Sequence, residues 1–111
     1  MKFLNSAEIF PAIPIEISTS TALALTYAQR SLKCTNATAI TLTIPLNTSA
    51  NFPIGTDISI SQYGAGSVTF AAASGVTLNS SGGKKCINGQ FKMVALQKVD
   101  TDEWLLVGDL I

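Results

Sequence analysis

A chain of 111 residues has room for a single domain, and one of that size buries roughly two thirds of the surface its unfolded form exposes. Seven basic and seven acidic residues cancel, and only 13% of the residues are charged against 47% apolar. That balance excludes the electrostatic footprint of a nucleic-acid or anionic-membrane partner. It also implies that part of the outer surface is covered in an assembly. There is no histidine, which rules out Ser-His-Asp and Cys-His catalysis within the chain and removes the commonest metal ligand.

The first stretch, residues 1–17, carries Pro11 and Pro14 and shows no sustained alternation. Its apolar residues Phe3, Leu4, Ile9, Phe10, Ile13 and Ile15 are isolated from one another. Prolines remove donors and hold such a segment extended, yet it is too apolar for a solvated tail. Two readings stand: an extended arm that packs on another surface, or a first edge strand near residues 13–17 on the chain's own sheet. No signal-peptide core is visible in the first ten residues, and no apolar run approaches the ~18 residues of a membrane helix.

From Thr21 the pattern becomes strand-like. Leu23 and Leu25 share a face, Tyr27 to Ser31 allows one helical turn, and Leu32 to Thr35 resumes as a strand. Ile40, Leu42, Ile44 and Leu46 alternate with Thr41, Thr43 and Pro45, the period of a half-buried strand. After a polar loop and the turn at Phe52-Pro53-Ile54-Gly55, Ile58 and Ile60 alternate with serines. Val68, Phe70 and Ala72 then alternate again. Gly64-Ala65-Gly66 between these two stretches reads as the reversal of a central hairpin. A short strand at Val76 and Leu78 is ended by Ser80-Ser81-Gly82-Gly83. Phe91 to Val99 and Trp104 to Val107 are apolar on both faces, which implies burial on both sides, either in the middle of a sandwich or at a subunit interface. The expectation is a sandwich with one face partly used by other copies of the chain. The spacing predicts an all-β fold: a single antiparallel β-sandwich or barrel-like domain of about eight short strands over residues 18–111, with an extended N-terminal arm over residues 1–17.

Little chemistry is visible. Asp100, Asp102 and Glu103 cluster in a turn, where acids are ordinary turn formers, and their spacing matches no calcium loop. Gly82-Gly83-Lys84-Lys85 resembles a phosphate cradle, but no helix follows it; Lys84 and Lys85 mark a solvated bend or a surface anion contact. Tyr63 at the turn is a candidate sugar platform, while Trp104 reads as core. Cys34 and Cys86 are too few for a disulfide scaffold and read as free thiols, with a bridge between neighbouring strands as the alternative. No catalytic, cofactor or metal residue is identified, so the residues alone imply only a soluble all-β domain that associates.

One pattern goes further. Gly55-Thr56, Ile58, Ile60, Gln62-Tyr63-Gly64-Ala65-Gly66 and Val68-Thr69-Phe70 lead into Ser74-Gly75-Val76-Thr77-Leu78. Gly82-Gly83-Lys84 and Gly89-Gln90 follow, and the chain ends in Asp102-Glu103-Trp104-Leu105-Leu106-Val107-Gly108-Asp109-Leu110. This resembles a small β-domain of tailed-phage virion proteins, found as a terminal module of tail fibres, head fibres and capsid-decorating proteins, over about Thr21 to Leu110. Cys34 and Cys86 depart from it, standing where aliphatic or basic residues are expected. The resemblance implies a non-enzymatic structural role, commonly as a homotrimer. Because the chain opens at Met1 with only a short arm, the expected part is a capsid-decorating cement, knob or head-fibre protein on the virion, assembled in the host cytoplasm. The arm residues Phe3, Leu4, Ile9, Phe10, Ile13 and Ile15 would grip the major capsid protein, another virion protein or a sibling subunit. The alternative is a tail-fibre-type receptor or carbohydrate-binding tip, with Tyr63, Lys84 and Lys85 toward a surface glycan. Neither nucleic acid nor membrane is expected as a partner.

Overall fold

The computed structural model of the chain describes residues 12–111, and among these the regular structure is nearly all strand. The strands are β1 (Ile15–Ile17), β2 (Thr21–Ala22), β3 (Ser31–Cys34), β4 (Ile40–Ile44), β5 (Asp57–Gln62), β6 (Val68–Ala72), β7 (Thr77–Ser80), β8 (Met93–Asp100) and β9 (Glu103–Gly108). Two single-turn 3-10 helices, Leu25–Tyr27 and Ser81–Gly83, punctuate them. A six-stranded sheet has the order β1-β3-β5-β8-β9-β7, and a three-stranded sheet the order β2-β4-β6.

The first six strands alternate between the two sheets, and every like pair among them is parallel: β1 with β3, β3 with β5, β2 with β4, β4 with β6. The chain therefore winds as a short coil of three turns, each turn laying one strand on each sheet. Antiparallel pairing enters only with β8, which runs against β5 and then against β9. β7 returns parallel to β9 at the far edge.

This corrects the antiparallel sandwich expected from the sequence: the fold is mostly β, but one sheet is mixed and the other wholly parallel. It also corrects the central hairpin, since β5 and β6 lie in different sheets and do not pair. A period of two marks a half-buried strand of either sense, so the alternation of Ile58, Ile60, Val68 and Phe70 carried no information on direction. Gly64 and Gly66 do not close a hairpin. They let one corner of the coil lie on the corner below it: a Cβ on Gly64 would collide with the backbone of Asn36, and one on Gly66 with the backbone of Thr38. The stacked corners are joined by Tyr63 N–H and Gly64 N–H donating to Cys34 O (2.7 and 3.0 Å) and by Gly66 N–H donating to Asn36 O (3.1 Å). The buried Asn36 donates through Nδ2 to Gly66 O at 2.9 Å and to Thr38 O at 2.7 Å.

The core lies between the sheets. Ile40, Leu42, Ile44, Val68 and Phe70 face it from the small sheet, and Leu32, Cys34, Ile58, Ile60, Val94, Leu96, Trp104 and Leu106 from the large one. Phe52, from the loop after β4, meets Trp104 edge-on at 5.4 Å between ring centroids. That loop is pinned from beneath by Lys98, which is 1% exposed. Its Nζ donates to Asn47 Oδ1 at 2.7 Å and to Phe52 O at 2.8 Å, so the buried ammonium is satisfied by two neutral acceptors. Of the expected arm, residues 1–11, with Phe3, Leu4, Ile9 and Phe10, lie outside the described residues. Ile15–Ile17 form the edge strand β1 on the chain's own sheet, with Ile15 and Ile17 packed on the core. Ile13 stands exposed just before it.

Candidate interaction surface

The outer face of the six-stranded sheet is set by strand parity. On β8, Val94, Leu96 and Lys98 point into the core, so Met93, Ala95, Gln97 and Val99 point out. On β9, Trp104 and Leu106 point in, leaving Glu103, Leu105 and Val107 outside. The antiparallel register sets Ala95 opposite Val107 and Gln97 opposite Leu105. On the other side of β8, Ser59 stands opposite Ala95 and Ser61 opposite Met93. Met93, Ala95, Val107 and Leu105 thus form an apolar stripe across the middle of an open face.

The sequence reading has the last two strands covered on one face by the sandwich and on the other in part by further copies of the chain. In the single chain only their inner side chains are enclosed; Met93, Val99, Leu105 and Val107 remain in contact with solvent.

An aromatic pair extends the stripe at one end. Tyr63 follows β5 and Phe91 precedes β8, and their rings meet edge-on at 5.5 Å. Lys33 Nζ lies 4.5 Å from the centre of the Tyr63 ring, a cation–π contact. Phe91 sits at φ +65°, a left-handed backbone that costs a bulky L-residue about 1–2 kcal/mol. It is held there by its N–H, which donates to Gln62 O at 2.6 Å, while Gln90 Nε2 donates to Tyr63 O at 2.8 Å. The strained residue is one of the most exposed apolar side chains among those described. The sequence reading reached Tyr63 but missed Phe91, which it placed inside a strand. Gly89-Gln90 before it was the available sign of a turn.

The other candidates lie elsewhere. Lys84 is exposed and Lys85 half-buried, in the segment that follows the Ser81–Gly83 turn. Lys85 Nζ reaches only Gly83 O at 3.4 Å, and its own carbonyl accepts from Phe70 N–H, so the bend closes the end of the small sheet. The acids of the β8–β9 turn are occupied locally: Asp102 accepts from Asn47 N–H at 2.7 Å, Asp100 from Thr101 N–H at 2.8 Å, and Glu103 from Asn79 Nδ2 at 3.1 Å. Among the described residues no group of three or more His, Cys, Asp or Glu is placed to hold a metal ion. Surface hollows of about 310 and 350 Å³ flank the apolar face, one beside Arg30 and Asp57, the other beside Thr77 and Asp102. Both cysteines are free thiols; Cys34 is buried, and burial pushes its pKa up to about 11. At the end of β9, hydrogen bonds from Lys92 (2.6 Å) and Asn88 (3.0 Å) hold the exposed Asp109 carboxyl below its ordinary pKa.

Fold and surface together define a small, mostly β module with a broad apolar face on its six-stranded sheet. Comparison with known protein families, curated proteins and solved structures finds no match to this chain.

Proposed function

We propose that this chain is a non-enzymatic structural protein of a phage virion. Its part is to decorate the capsid as a cement, knob or head-fibre protein, attached through the N-terminal arm ahead of β1 and oligomerising through the β-domain. The observation that carries the reading is the apolar face on β8 and β9, broad and free of charge at its centre, which suits a protein surface better than a soluble substrate. The resemblance of its motifs to those of small virion β-domains suggests the setting. Weak contacts repeated over a symmetric lattice hold such a protein by effective concentration. The test is binding to purified capsids by the whole chain and by a variant lacking residues 1–11, a deletion that leaves β1 in place. At least a tenfold loss is expected; undiminished binding refutes attachment through the arm.

The Tyr63–Phe91 pair favours one other reading, a receptor- or carbohydrate-binding tip in which an aromatic ring stacks on a sugar. A glycan array probed with the wild type and Tyr63→Ala separates the two. Specific binding lost in the variant establishes the tip, and no binding removes it.

A further inference from the structure

We propose that the outer face of β5, β8 and β9 is where a second copy of this chain docks, with Phe91 as its anchor. This names the surface for the self-association in the functional reading above and rests on that part of it. Phe91 is 70% exposed, Met93 57%, Tyr63 48%, Val107 47%, Val99 41% and Leu105 37%. At these exposures the six residues present roughly 600 Å², the upper end of what a monomer leaves open. Two such faces brought together remove about 1,200 Å² from water, which clears the ~1,000 Å² a specific interface needs. A small ligand would cover only a fraction of that area.

Charge points the same way. No charged side chain lies within the stripe formed by Met93, Ala95, Leu105 and Val107. At its margin Lys92 is paired to Asp109 at 2.6 Å, and Lys33 sits over Tyr63. The whole chain carries no net charge, so a second copy meets no repulsion, and a strongly charged partner finds no counter-charge. Exposed aromatic anchors surrounded by aliphatic contacts are the residues that dominate such interfaces. The left-handed backbone at Phe91 gives a way to tell a docking role from a structural one. Within the chain the Phe91 ring has the edge-on contact with Tyr63 and otherwise faces solvent, so folding recovers little of the strain, whereas docking gains a large apolar anchor.

The experiment is sedimentation equilibrium of the full chain with Phe91→Gly, Val107→Glu and Leu25→Glu, the last altering an exposed apolar residue away from this face. Thermal melting and circular dichroism accompany each. Glycine relieves the strain at position 91 and gives up the ring contact with Tyr63. Phe91→Gly is therefore expected to fold with an unchanged spectrum yet to weaken association at least tenfold, with any fall in melting temperature tracking the lost association. Val107→Glu is expected to be monomeric with an unchanged spectrum, and Leu25→Glu to associate as the wild type does. If Phe91→Gly associates as tightly as the wild type, the face is not the interface. That holds whether or not Val107→Glu folds. A monomeric wild type at all concentrations overturns the docking proposal. If that monomer still binds capsids, the face serves another partner and the capsid reading stands; if it binds glycan through Tyr63, the tip reading replaces it. An oligomer that dissociates as expected but ignores capsids would overturn the capsid assignment instead.

Discussion

The stacked corners of the coil give the sharpest test of the architecture. Gly64→Ala or Gly66→Ala places a methyl group against backbone carbonyls of the turn below, and at Gly66 also against Asn36 Nδ2, which is itself held by Thr38 O and Gly66 O. Neither glycine has a positive φ, so the penalty comes from collision alone. Making room separates the corners and stretches at least one of the hydrogen bonds to Cys34 O or Asn36 O, each contributing about 1 kcal/mol. Forcing volume into a close-packed contact adds a further 1–3 kcal/mol or so. A destabilisation of about 3 kcal/mol is expected for either variant. The control is Gly83→Ala, at φ +70° with open space around it, where only backbone strain of about 1 kcal/mol applies. Urea denaturation of the three variants, read by Trp104 fluorescence, measures the difference. If Gly64→Ala and Gly66→Ala unfold within about 0.5 kcal/mol of the wild type, the corners do not stack and the coil is wrong.

Lys98→Met keeps the buried stem but leaves Asn47 Oδ1 and Phe52 O without their donor; a loss of about 1–3 kcal/mol is expected in the same assay, and an unchanged midpoint refutes the pinning of the loop. Cys34, buried and with its thiol pKa pushed up to about 11, is expected to resist a thiol reagent at pH 8 until the chain unfolds; rapid reaction of both thiols in the folded chain contradicts its burial. The Asp109 carboxyl, held below its ordinary value of 3.8 chiefly by Lys92, favours the folded state above that pH, an effect lost as pH falls through the lowered value. Its NMR titration midpoint is expected to rise in Lys92→Gln, and a midpoint that does not move removes the pair as the cause.

The strand segments were legible in the sequence because burial imposes their period. Ile40-Thr41-Leu42-Thr43-Ile44 and Ile58-Ser59-Ile60 could only be half-buried strands, and both are. Trp104 was legible as core because its apolar run leaves no other place for it. Strand direction was not legible. It depends on which carbonyl Tyr63 N–H and Gly66 N–H find, and those partners sit about thirty residues back, at Cys34 and Asn36. A Gly-Ala-Gly sequence serves a hairpin and a stacked corner equally well, since both ask for small residues. The apolar strands at the end of the chain were legible as needing cover on both faces, but which face its own chain covers was not: composition records that a side chain wants cover, not what provides it. Val107 and Leu105 look like Leu106 in sequence and differ only in the face they occupy. The platform at Phe91 was out of reach because its exposure follows from a left-handed backbone at a residue that rarely adopts one.

Met93 offers a built-in reporter of that face. Hydroxyl-radical footprinting across a range of protein concentration, with the oxidation of Met93 and Phe91 compared with that of Leu25, asks directly whether the apolar face is covered by another copy. The expected result is that Met93 and Phe91 become protected as concentration rises while Leu25 does not. Oxidation of Met93 and Phe91 that stays constant relative to Leu25 at every concentration would contradict it.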